Sequence, residues 1–271
     1  MSKRYIRSHL VKQLRNAAKA ATLMASVMRQ GGAAALHDLR VQVRTVASVL
    51  HPFLGLPHAK PLRRCLEPLR SWVRKSNRAR DAEAQLELIE ELLSEPYPWD
   101  VVAYLARMEK ELRHRRAALA QSKSLVKLPR RIARLARAAD ECLDQFSATA
   151  LVGAVNRACE ELLADLRMDC AQGLQDPKHW HQARLRIKQL RYLIDCFGGF
   201  LDARFLEFAA DTKRAQENLG RLRDWQNLRA AMAGEPIMAQ WLAEHAALED
   251  ELATRAKEAM DFLARKLDGQ D

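Results

Sequence analysis

The stretch Trp180-His181-Gln182-Ala183-Arg184-Leu185-Arg186-Ile187-Lys188-Gln189-Leu190-Arg191-Tyr192 decides how the chain is read. On an ideal helix of about 100° per residue, His181, Arg184, Lys188 and Arg191 fall in one stripe roughly 80° wide and about 15 Å long. Ile187, Leu190, Ile194 and Phe197 fall on the adjoining face. The cations therefore border the core face, which predicts a position along a groove between packed helices.

The same pattern occurs earlier. Leu36-His37-Asp38-Leu39-Arg40-Val41 aligns with Trp180-His181-Gln182-Ala183-Arg184-Leu185. The match runs on without a gap through Val43/Ile187, Arg44/Lys188, Val46/Leu190, Leu50/Ile194, Phe53/Phe197 and Gly55/Gly199. At nearly the same offset, Arg78-Ala79-Arg80-Asp81 aligns with Arg221-Leu222-Arg223-Asp224, and Arg70 with Lys213. An internal repeat of this kind predicts two similar helical halves, each a four-helix bundle.

Working outward, the rest of the chain is rich in Ala, Leu, Arg and Glu at helical spacing, with no alternating strand. Gly and Pro punctuate it at 31–32, 55–61, 96–98, 129, 173–177, 198–199 and 234–236. Helices are predicted near 3–30, 35–54, 60–94, 98–122, 129–146, 150–172, 178–197, 201–232 and 236–266. Pro68 should kink or split the third. The expected organisation is a single all-α domain over 1–271, with a first repeat at about 3–125, a connector at 126–147 and a second repeat at about 148–268. The N-terminus has no acid before Asp38, as a transit peptide would, but Ile6, Leu10, Leu14, Ala17, Ala21 and Met24 have the spacing of a bundle helix.

Charge narrows the partner. Lys plus Arg number 45 against 34 acids, a formal net charge of +11, which favours a polyanionic partner. Residues 60–80 carry one acid, Glu67, while the stretch from Glu235 on is net acidic. Five cysteines with no Cys-x-x-Cys suit reduced thiols rather than disulfides or zinc. No apolar run is long enough to span a membrane. Lining up cations at i, i+3, i+7 and i+10 is unfavourable without an anion. Arg offers a fork for phosphate oxygens, and a line of such donors matches a linear polyanion. Each histidine is read either as a structural group or as a donor to phosphate. Asp81 and Asp224 are read as orienting nearby basic side chains, not as metal ligands.

These residues resemble the CHAD domain, the conserved-histidine α-helical domain. The resemblance rests on His-x-x-Arg-Val/Leu-x-x-Arg/Lys in both copies, Gln189-Leu190-Arg191-Tyr192 in the second, and the Arg-Asp endings at 80–81 and 223–224, with Asn218-Leu219-Gly220 before the latter. It covers roughly residues 5 to 265. It implies two pseudo-symmetric four-helix bundles around a basic central groove, binding of inorganic polyphosphate, and association with polyphosphate granules in the cytoplasm. It implies ligand contacts at His37, Arg40, Arg44, His181, Arg184, Lys188 and Arg191, with Arg70 and Lys213 at matching basic positions. Arg15, Arg74 and Arg214 are added on local charge alone. Thr45 and Ala47 stand where the family's first motif continues with Arg, so the first half is expected to hold phosphate less tightly. Asn77 replaces the glycine matched by Gly220.

No cofactor, metal site or catalytic activity is expected. A nucleic-acid binder is the alternative, but aromatics are 6% of residues and the five tryptophans are scattered, so no base-stacking platform is evident. A histidine phosphotransfer bundle is a second alternative. It wants a small residue where Val41 and Leu185 stand. A ferritin-like metal site would need paired Glu-x-x-His motifs, and Glu111 to His114 is a single match.

Overall fold

The computed structural model describes residues 4–32, 34–92, 99–171 and 177–269. The described residues are helical, with no strand among them. In chain order the α-helices are α1 (Arg4–Arg29), α2 (Ala35–Leu50), α3 (Lys60–Lys75), α4 (Asn77–Leu92), α5 (Trp99–Ala120), α6 (Lys123–Leu143), α7 (Ala148–Ala171), α8 (Pro177–Phe197), α9 (Ala203–Leu206), α10 (Ala209–Met232), α11 (Ala239–Glu244) and α12 (Ala246–Leu267). None of the described helices is long and apolar enough to cross a membrane. The turn signals at 96–98 and 173–176 lie outside the described residues.

The chain divides into two compact units. The first holds Met1–Asn77, Arg116–Ala164 and Gln189–Ala209; the second holds Arg78–Arg115, Asp165–Lys188 and Ala210–Asp271. Each unit takes segments from both halves of the sequence.

In the first unit α1 packs on α2 and α6, and α3 packs on the same two helices, closing a four-helix bundle. Its core comes from one apolar stripe per helix: Leu10, Leu14 and Ala21; Leu39, Val43 and Val46; Leu62, Leu66, Leu69 and Trp72; Leu128, Ile132 and Leu135. The N-terminal segment is thus a bundle helix, as its spacing predicts. The helix placed between the repeats, α6, is a full member of this bundle. The end of α8 adds Phe197, whose ring meets Phe53 edge-on at 6.0 Å. His9 Nε2 lies 2.7 Å from the Cys196 carbonyl oxygen.

In the second unit α4 meets α10 through Gln85, which donates to the Asn227 carbonyl at 3.5 Å, and through an ion pair between Arg221 and Glu91. Lys266 on α12 pairs with Asp211 on α10 at 2.7 Å. Trp225 and Trp241 are buried together, 5.9 Å between rings.

Several predicted boundaries need correction. Pro68 sits inside an unbroken α3; the 60–94 stretch breaks at Ser76 instead. There the Ser76 hydroxyl donates to the Val73 carbonyl at 2.9 Å, offering the backbone a local alternative to the next helical turn. Pro129 does not start a helix either. α6 begins six residues earlier, where Ser122 caps it by accepting from the Leu125 amide at 3.2 Å. The predicted 35–54 helix tightens into a 3-10 turn at His51–Phe53. The 201–232 helix is a short α9 followed by α10, and the 236–266 helix is a 3-10 turn, α11 and α12.

Candidate anion-binding site

The second His-x-x-Arg motif lies in the opening turns of α8, in the second unit. Trp180, His181 and Arg184 from α8 line a narrow cleft with Leu219, Leu222, Arg223 and Gln226 from α10. Both sets repeat at helical spacing, so each falls on one face of its helix. Gly220 on α10 lies against the Arg184 guanidinium: a methyl group in its place would sit 3.9 Å from Nε. Arg184 is half-buried, and its Nε is buried without a hydrogen-bond partner. A buried N–H of a charged group is costly to leave unpaired. Arg184 also lines the cleft, which holds about 20 Å³, the room of a single oxygen atom.

The electrostatics favour an anion. The His181 ring is held below the ordinary imidazole value, first by its partial burial, then by the Arg223 and Arg184 charges. Asp224, one residue past Arg223, is pushed up by burial, and by Glu87 and Asp81, against the opposing pull of Arg184 and Arg80. Its carboxylate competes with any incoming anion for Arg184. Asp224→Asn should therefore strengthen phosphate-polymer binding by up to about fivefold, the scale of a screened charge pair. Isothermal titration of both proteins checks this, and weaker binding by the variant would refute it.

The first copy of the motif is placed differently, in the first unit. Arg40 is only 3% exposed. Its guanidinium donates to the Val73 carbonyl at 2.8 Å, to the Ser76 hydroxyl, and to Asn77 Oδ1 at 3.0 Å. It clamps the break between α3 and α4. His37 is exposed, and Arg44 and Lys188 are half-buried; each has interactions within the protein. Asn77, which stands where the second copy has Gly220, supplies one of the acceptors for Arg40.

The other predicted positions are divided between the two units. Arg191 is half-buried near the end of α8, in the first unit. Arg70 is exposed on α3, and its charge, after burial, helps lower the His51 pKa. Lys213 is exposed and pairs with Glu217 at 4.0 Å. Arg15 pairs with Asp140 at 3.4 Å and Arg74 with Glu67 at 2.7 Å. Arg214 is exposed on α10. Arg223 and Gln226 were not among the predicted site residues, although Arg223 stands in the aligned Arg-Asp pair. The signal was the i, i+4, i+7 spacing of Leu219, Arg223 and Gln226.

The described residues contain no group of three or more His, Cys, Asp or Glu placed to hold a metal ion. All five thiols are unpaired; Cys142 and Cys159 are buried and the others half-buried.

The described residues are all helical and carry two His-x-x-Arg helices, the features of a conserved-histidine α-helical domain. The model for the CHAD domain matches residues 8–233. The chain belongs to the CHAD family. Its fold is similar to that in the crystal structure of the CHAD domain from the plant Ricinus communis, with a TM-score of 0.67 at 20% identity, over 98% of this chain and 90% of that one. No curated protein shows a significant match.

Proposed function

We propose that the protein binds inorganic polyphosphate and acts as a binding module without catalytic activity, associating with polyphosphate granules in the cytoplasm. The observation that carries this reading is the buried, unpartnered Nε of Arg184 in a cleft shared with His181 and Arg223. A phosphate oxygen there would complete the guanidinium and face two further cationic donors. Lys188 and Arg191 continue the same stripe along α8, as a chain of phosphates requires. His37, Arg44 and Arg70 form the weaker basic set of the first half, and Arg40 positions the helices around them. Family membership supports the ligand class.

Competition tests the reading. Bound long-chain polyphosphate should resist displacement by RNA or DNA at equal phosphate equivalents, because the rings in the cleft are one tryptophan and one histidine, Trp180 and His181, and not the row that stacks successive bases. Displacement would favour the nucleic-acid alternative. Binding should also weaken steeply with salt.

The His181 ring gives a pH signature. The empty cleft lowers its pKa, whereas a bound phosphate would raise it. Between those two values the protein takes up a proton on binding, so affinity rises as pH falls from about 8 to about 6. Interior phosphates of a long chain have no second ionisation in this range, so the slope reports on the protein. His181→Gln should flatten it. A wild-type affinity independent of pH would sink the donor role of His181.

A further inference from the structure

We infer that the first unit carries a second phosphate-polymer site, in the cleft between α3 and α6. The cleft holds about 400 Å³ and is lined by Lys60, Pro61, Arg64 and Cys65 from α3 and by Arg134, Arg137, Ala138 and Glu141 from α6. That volume is in the range of ligand clefts. Four cations face one carboxylate across it.

Those cations are not accounted for by the fold. Lys60, Arg64, Arg134 and Arg137 are exposed, and none is in an ion pair among the described residues. The other nearby acids are engaged elsewhere. Asp140 on α6 pairs with Arg7 and Arg15 on α1, and Asp144 pairs with Arg7. Glu67 on α3 pairs with Arg74. Along α6, Lys127, Arg130, Arg131, Arg134 and Arg137 follow one another with no acid between them. At 1.5 Å per residue they make a track about 15 Å long, within an arc of roughly 120° turned away from the core face. Such a line of like charge is unfavourable in isolation. A linear polyanion relieves it over its whole length, whereas a single small anion relieves only one end.

The site uses different helices from the His181 cleft, and it explains why the basic run of residues 60–80 is paired with a basic helix rather than an acidic one. The identity of the ligand rests on the polyphosphate reading above; the place of binding does not rest on Arg184.

Cys65 makes the cleft observable, because it is half-buried in the cleft wall. Burial pushes the thiols of Cys159 and Cys196 up to about 12 and that of Cys170 to about 11, so these react slowly. Alkylation by iodoacetamide, a neutral reagent, is followed at each cysteine by mass spectrometry with and without long-chain polyphosphate. Polymer at ten times its dissociation constant should slow Cys65 labelling about tenfold. The protection should persist in Arg184→Ala and vanish in Arg134→Gln/Arg137→Gln at unchanged melting temperature. The latter variant should also lower the slope of log affinity against log salt by about 1.4, by counterion release from two lost cations. Equal labelling with and without saturating polymer overturns the inference, as does protection that survives the double substitution. Equal protection by RNA overturns the assignment to condensed phosphate. Protection of Cys65 with undiminished affinity in Arg184→Ala leaves this site standing and removes the His181 cleft. A wild-type protein that binds no polyphosphate removes both.

Discussion

Arg184→Ala should weaken binding of long polyphosphate by about 10- to 100-fold, the worth of a hydrogen bond to a charged group, with little change in melting temperature. Arg40→Ala should do the opposite. The two arginines hold matching places in the repeat and invite the same role. Their surroundings separate them. Arg184 keeps a buried Nε without a partner, so no hydrogen bond at that atom is lost when the side chain is cut back. Arg40 donates to a carbonyl, a hydroxyl and an amide oxygen where α3 ends and α4 begins. Removing it strips a charged donor from buried acceptors, and should destabilise the fold by about 2–4 kcal/mol. At roughly 2–4 °C per kcal/mol for a chain of this class, the melting temperature falls by several degrees to more than ten. Affinity and thermal unfolding measured on both variants check the pair. An Arg40→Ala protein of wild-type stability with lost affinity would make Arg40 a ligand and refute the clamp.

The same comparison shows how far the sequence could be read. The all-α class was legible because Leu, Ala and Arg repeat at helical spacing almost without interruption. The apolar stripes of α1, α2 and α8 were legible for the same reason: Ile6, Leu10, Leu14, Val43, Val46, Ile187 and Leu190 are all buried. The helix ends were harder. Pro68 and Pro129 lie inside helices, where neighbours on the bundle's core face outweigh the missing amide bond. Ser76 ends α3 because its hydroxyl is held between Val73 and Arg40, a contact from another helix that no local window contains. The stripe of cations was also legible, but the use of each cation was not. Whether an arginine is free for a ligand depends on which carbonyls and carboxylates the fold brings to it. Asn77 and Gly220 mark the difference: the asparagine offers Arg40 an acceptor, and the glycine leaves Arg184 with none. The absence of Arg at Thr45 and Ala47 pointed to a weaker first half for a different reason, through charge along α2.

Arg80→Met should destabilise the second unit by about 1–3 kcal/mol, the cost of taking a charged hydrogen-bond donor from a buried carboxylate that keeps further interactions within the protein. Arg80 pairs with Glu83 at 3.0 Å and with Glu87 at 2.9 Å, and Glu83 is only 4% exposed. Burial disfavours the Arg80 charge, yet the two carboxylates outweigh it and raise its pKa. Without Arg80, Glu83 stays buried beside Glu87, and Asp224 loses one of the two guanidinium charges that oppose its upward shift. A carboxyl with a raised pKa takes up a proton more readily folded than unfolded, so its contribution grows as pH falls. The deficit of Arg80→Met should therefore shrink between pH 7 and pH 5, because the variant adds to the gain that Asp224 already gives the wild type. Removing both partners, as Arg80→Met/Glu83→Leu, should restore most of the loss, since a well-packed apolar pair is close to neutral against a buried ion pair. Chemical denaturation at the two pH values measures all three. Undiminished stability in Arg80→Met would free Arg80 from this role and return it to the candidate ligands, beside its repeat partner Arg223. With the loss as expected, the two Arg-Asp pairs have divided the work as the two His-x-x-Arg motifs have: the first copy neutralises charge inside its unit, and the second presents its arginine to the His181 cleft.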